Sequence, residues 1–169
     1  MKIGLLSDTH GLLDNAIFHY FDECDEVWHA GDIGNPNLLD TLKAYKPLRA
    51  VYGNIDGHEI RRELKEVEFF TIKGVKVLMT HIGGRPPKYN ANVKTLIAKY
   101  SPNIFICGHS HILSILRDNE LLFLNPGACG NHGFHNTRTI IRFTIQSGKV
   151  VNPEVIELNP RILKAKTTI

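Results

Sequence analysis

Short apolar runs broken by polar, glycine-bearing joints recur along the chain, and their spacing switches between two periods. Ile3-Gly4-Leu5-Leu6 is compact and of strand length. From 12 to about 24, Leu13, Ala16, Ile17, Tyr20, Phe21 and Cys24 fall three and four apart, which predicts an amphipathic helix with Asp14 in its first turn. A second strand is expected over 26–30, a helix over 37–44 led in by Asn35-Pro36, and a third strand over 48–52. Strand–helix–strand–helix–strand order calls for crossover connections, and these build a parallel sheet.

The second half reads differently. Strands at 69–72 and 75–79 flank Lys73-Gly74, a hairpin signal. A helix over 93–100 leads to a strand at 104–107. Strands at 112–116 and 121–124 turn at Asp118-Asn119, and strands at 139–145 and 150–158 turn at Ser147-Gly148. An α/β beginning and a β-rich ending predict two stacked sheets with helices outside. A chain of 169 residues suits one domain, placed at 1–160, with a polar, basic tail over 161–169 that is expected to fray.

Composition narrows the function classes. Hydrophobic residues at 43% and charged residues at 22% suit a globular protein and argue against disorder. The net charge of +3 is spread over scattered Lys and Arg with no basic stripe, so no extended nucleic acid partner is expected. Cys24, Cys107 and Cys129 lack metal-motif spacing, and no disulfide framework is indicated. No apolar run approaches the ~20 residues of a membrane span, and the start lacks a signal-peptide pattern, so the expectation is a cytoplasmic protein without a membrane partner.

The informative polar residues stand where the strands end. Asp8 and His10 follow the first strand two residues apart, and strand alternation would aim both at one spot. An oxygen beside an imidazole nitrogen suits a transition metal better than Mg²⁺ or Ca²⁺. Asp32, Asn54, His81, His109 and His111 then close further strands. Singly, each has a plain explanation: a helix cap for Asp8 or Asp32, a left-handed turn for Asn54, a core histidine for His81. Jointly they point to one site beyond the carboxyl ends of the strands, where open α/β sheets bind ligands.

In this order the motifs Asp8-Thr9-His10, Gly31-Asp32, Gly53-Asn54-Ile55-Asp56, Thr80-His81 and Gly108-His109-Ser110-His111 resemble those of the calcineurin-like metallophosphoesterases, in particular their small prokaryotic phosphodiesterase branch. The likeness runs to Asn125-Pro126-Gly127. It implies an α/β fold of two mixed sheets flanked by helices, and two divalent metal ions, manganese first, with iron, nickel or zinc as alternatives. The first ion would take Asp8, His10, Asp32 and His111; the second would take Asp32, Asn54, His81 and His109, with Asp32 as the bridge. Asn54 would also act catalytically by donating to a phosphate oxygen, while Asp56 and Asn125 would support the loops around the ligands. The implied reaction is hydrolysis of a small phosphodiester, or a monoester, by a metal-bridging hydroxide, with the ions about 3.5–4 Å apart. A homo-oligomer is compatible with this reading. The alternative is a catalytically weak scaffold on the same fold that binds protein partners, against which the full ligand set stands.

Two positions depart from the pattern. Many members carry a His, thought to protonate the leaving alcohol, where this chain has Ile55, so alkoxide expulsion should suffer and aryl esters be favoured. His58, His132 and His135 are candidate replacements, and the loop at 128–137, with Gly130 and Gly133, is a candidate lid. Arg85 and Arg138 are candidates for holding a phosphate oxygen. Ile82 also intervenes where Gly usually follows the fourth motif.

Overall fold

The computed structural model describes residues 1–158; the expected tail over 161–169 lies outside them. In the first sheet, β1 (Lys2–Leu6), β2 (Glu26–His29) and β3 (Leu48–Ala50) run parallel. On the other side of β1, β11 (Thr139–Gln146) and β12 (Lys149–Glu157) join antiparallel, in the order β12-β11-β1-β2-β3. The second sheet has β5 (Val75–Thr80), β8 (Ile104–Ile106) and β10 (Leu121–Asn125) parallel at its centre, with β4 (Val67–Ile72) and β9 (Ser114–Asp118) antiparallel at its edges. Both sheets are mixed, as the resemblance implied.

Alternation along the strands explains the layers. Ile3, Leu5, Trp28, Val77, Met79, Ile104 and Ile106 meet between the sheets in one buried cluster. Trp28 is fully buried there and packs edge-on against Phe70 and Phe143, with ring centroids 5.1 and 5.6 Å away. The opposite faces take helices. Leu6 and Val27 pack with Ile17 and Phe21 around α1 (Ala16–Tyr20), and Leu39 and Leu42 of α2 (Pro36–Tyr45) pack with Ile60 of α3 (His58–Glu63). Leu78 and Phe105 receive Val93 and Leu96 of α4 (Ala91–Tyr100). The hairpin turns Lys73-Gly74 and Ser147-Gly148 have φ of 47° and 79°, and 49° and 72°, the left-handed pair that a tight hairpin needs.

Three local differences from the sequence reading have physical causes. The helix expected from 12 begins only at Ala16: Leu12 donates back to the Thr9 carbonyl, and Asp14 Oδ1 accepts from the Ala16 amide instead of sitting in the first turn. Helix α3 was not expected, because Ile60 is its one apolar residue and gives no period. The ribbon of β6 (Gly84–Arg85) and β7 (Lys88–Tyr89) is too short to show one.

Candidate metal centre

The residues that end β1, β2, β5 and β8 converge. Asp8, His10 and His111 form one group and Asp32, His81 and His109 another; within each, the potential ligand atoms lie within 4.8 Å of one another. His111 Nε2 is 3.1 Å from Asp8 Oδ1 and 3.3 Å from His10 Nε2. In the second group His81 Nε2 is 3.2 Å from Asp32 Oδ1. Asp32 Oδ2 lies 3.8 Å from His10 Nε2, so the two oxygens of Asp32 face different groups. Asn54, exposed at the end of the β3 segment, lines the cavity beside them with Asp32 and His109.

Strand alternation is not what aims Asp8 and His10. Strand β1 stops at Leu6, and both residues are left-handed, with φ of 56° and 48°. Asp32, His109 and His111 share this conformation, at 57°, 66° and 58°. Among residues other than glycine, Asn, Asp and His tolerate it best. Each left-handed residue turns the chain sharply, which lets one short loop present two ligands to one point. Close approach is also built in. A Cβ on Gly53 would lie 2.0 Å from Asp32 Oδ1, and one on Gly108 would lie 2.7 Å from Asp8 Oδ2.

A ring of hydrogen bonds fixes these loops. Asp56 accepts from the Gly34 amide through Oδ1 and from the Gly53 amide through Oδ2, both at 2.7 Å. Arg61 donates to the carbonyls of Asp56 and Gly53 at 2.6 and 2.9 Å. Asn125 donates to the Gly108 carbonyl at 2.9 Å and to Ser110 Oγ at 3.1 Å, and accepts from the Gly127 amide at 3.0 Å, which holds the segment carrying His109 and His111. Sequence reasoning missed His29. Its Nδ1 accepts from the Gly31 amide at 3.1 Å, so Nε2 carries the proton and donates to Thr9 Oγ1 at 2.9 Å. Burial, outweighing the pull of Asp56 and Asp8, pushes this imidazole down to about 4. An ionisable residue inside the apolar run Val27-Trp28-His29-Ala30 was the available signal.

The donor set fits metal ions. His81 Nδ1 donates to the Ala30 carbonyl at 2.8 Å, leaving the Nε2 lone pair of a neutral ring directed at the Asp32 carboxylate. Two lone pairs facing each other need a proton or a cation between them. Asp8 Oδ1 and His81 Nε2 are buried without a hydrogen-bond partner among the described residues. Burial lowers the basicity of His81, but the carboxylates of Asp32 and Asp8 outweigh it and raise its pKa. Burial dominates at His10 instead, and its pKa falls despite the same two carboxylates.

The groups open into a cavity of about 500 Å³ lined also by Ile55, Ile112, His132, Phe134 and His135. The His132 ring lies 4.7 Å from His10, and the His135 ring 5.1 Å from His111. His58 starts α3 and is not part of this lining. Arg138 is buried, paired with Asp14 at 2.7 Å and donating to the Cys129 carbonyl, so it does not line the cavity. Arg85 lines a neighbouring cavity of about 410 Å³, which shares His109, Ser110 and Ile112 with the first. The base of the expected lid is tied down: the amides of Cys129 and Gly130 donate to the carbonyls of Ser7 and Asp8. Cys24, Cys107 and Cys129 are free thiols, all buried.

Residues 1–148 match the model of the calcineurin-like phosphoesterase superfamily domain. The chain belongs to this superfamily. Among its relatives is a probable metallophosphoesterase of Methanocaldococcus jannaschii, 31% identical over 134 residues, covering 76% of this chain and 68% of the relative. A phosphodiesterase of the same organism is 29% identical over 148 residues, covering 76% and 84%. Among solved structures, an archaeal phosphodiesterase superposes with a TM-score of 0.76 at 24% identity over 94% of this chain and all of its own. Vps29 from Entamoeba histolytica gives 0.73 at 18% identity, over 94% and 100%. These two likenesses show the fold. The phosphoesterase motifs quoted from the sequence are thus set in the family's architecture, and no helix among the described residues is long and apolar enough to cross a membrane.

Proposed function

We propose that this phosphoesterase hydrolyses small phosphodiesters using two divalent metal ions, with manganese ahead of iron, nickel or zinc. The observation that carries the reading is Asp32, whose two oxygens face separate ligand groups from a buried position. Bound there, the ions would neutralise phosphate charge and lower the pKa of a water from about 15.7 to about 7. The chain's own residues supply the frame. Asp8, His10 and His111 would hold one ion; Asp32, His81, His109 and Asn54 would hold the other, and Asp32 would serve both. The Asn54 amide can offer its oxygen to an ion and its N–H to a phosphate oxygen. Ile55 can move no proton, so the leaving oxygen would have to depart without help from that position. A relative named a phosphodiesterase supports the choice of diester over monoester.

The test is hydrolysis of bis(4-nitrophenyl) phosphate with and without added Mn²⁺, Fe²⁺, Ni²⁺ or Zn²⁺. Metal-dependent turnover is expected, and Asp32→Ala should bring it to the uncatalysed rate while lowering metal content at both positions. Substantial metal-dependent activity in Asp32→Ala refutes the shared-ligand assignment. No turnover with any ion would favour the scaffold alternative.

A further inference from the structure

Around the ligand groups the cleft carries exposed apolar side chains among its polar ones, which two-metal chemistry does not require. The large apolar side chains exposed among the described residues are Ile55, Ile82, Ile112, Phe134 and Val155. Ile55, Ile112 and Phe134 line the cavity that also holds His10, Asp32 and His111. Ile82 lines the two cavities beside it, and only Val155, on β12, lies elsewhere. Single exposed apolar residues are ordinary, but a cluster around one opening marks a binding surface.

Charge defines what this surface can accept. Of the 20 Lys and Arg in the chain, none is among the described residues that line the cavity. Arg61 is spent on loop carbonyls and Arg138 on Asp14. Within this cavity a second phosphate or a carboxylate would meet no Lys or Arg, only Ser110 and the imidazoles of His132 and His135, while Arg85 lines the neighbouring cavity. A neutral planar ring would meet the Phe134 ring and two branched aliphatic side chains. Phe134 is fully exposed and would lose that exposure against a ring.

Resting on the phosphodiesterase reading, we infer that Ile55, Ile112 and Phe134 form a subsite for an uncharged, planar apolar arm of a substrate that carries a single phosphate. They determine specificity and do no chemistry.

The experiment separates ring recognition from turnover. Phenylphosphonate and methylphosphonate share one head group and are not hydrolysed, so their dissociation constants on the Mn²⁺-loaded protein, measured by calorimetry and corrected to the dianion of each, isolate the ring. The phenyl compound should bind about tenfold tighter, the size expected for covering part of one ring. Phe134→Ser combined with Ile112→Ser should cut this preference to about twofold or less, with the bound metal count as in the parent. Both side chains are exposed, so the substitutions leave the core untouched. Equal affinities in the parent protein, or a preference that survives the double substitution, overturn the proposal and leave the rim for a protein partner. Turnover of bis(4-nitrophenyl) phosphate without a ring preference sinks the subsite alone. A ring preference without turnover sinks the hydrolase reading and keeps the subsite.

Discussion

Replacing Asp56 by Asn changes no volume and touches neither ligand group, yet it should loosen both loops that carry Asp32 and Asn54. The carboxylate is 3% exposed and accepts two backbone N–H bonds at 2.7 Å, from Gly34 and from Gly53. An amide has one acceptor oxygen, so one of these N–H groups must face an NH₂ group. A hydrogen bond to a charged group contributes about 1.5–3 kcal/mol, and a buried donor left unpaired costs about 1–3 kcal/mol. The two overlap, and the expected loss is about 3 kcal/mol. With a urea m-value of about 2 kcal/mol/M, the midpoint should fall by about 1.5 M. The measurement belongs on metal-free protein, since bound ions would add their own stabilisation. In parallel, metal affinity of the variant should weaken although every ligand remains. A midpoint shift below about 0.3 M would refute the claim that Asp56 holds the loops together.

Two further outcomes are expected. His29 takes up its proton near 6.5 when unfolded but near 4 when folded, so stability should fall as pH drops from 6.5 toward 4, by about 3 kcal/mol in all. His29→Gln lacks that slope, so its stability gap to the parent should narrow by about this amount across the window; a constant gap in paired denaturation curves refutes a buried neutral imidazole. Ile55→His should raise turnover of a dialkyl phosphate about 10²-fold while changing an aryl ester far less, because only the poor leaving group needs a proton. Equal rates on aryl and alkyl esters in the parent protein would count against an absent acid.

The strands of the two large sheets were legible because they carry their own signal: Val75-Lys76-Val77 alternates, and its Val residues are buried while Lys76 is exposed. Asp8, His10, Asp32, Asn54, His81, His109 and His111 were legible through their positions at strand ends, and the structure gathers them at one cleft. What the sequence withheld depends on contacts between distant segments. The pairing of Arg138 with Asp14 spans 124 residues, and nothing local in either one announces it. His29 looked like one more strand residue because its partners, Thr9 and the Gly31 amide, are assembled only by the fold. Helix α3 lacks a period, yet Arg61 uses it to brace the Asn54 loop. The reason Asp8 and His10 converge was also misread, since it lies in φ angles that residue spacing does not encode.

The left-handed backbone at Asp8, His10, Asp32, His109 and His111 has an engineering consequence. The side chains that favour this geometry most, Asp, Asn and His, are also able donors to divalent cations. Exchanging one for another at such a position alters hardness and charge toward the ion while the main chain keeps its path. A panel of His109→Asp, His111→Asn and Asp8→Asn proteins would therefore retune which cation is preferred on an unmoved scaffold. Valine or isoleucine at the same places would meet the steric clash that branching at Cβ brings.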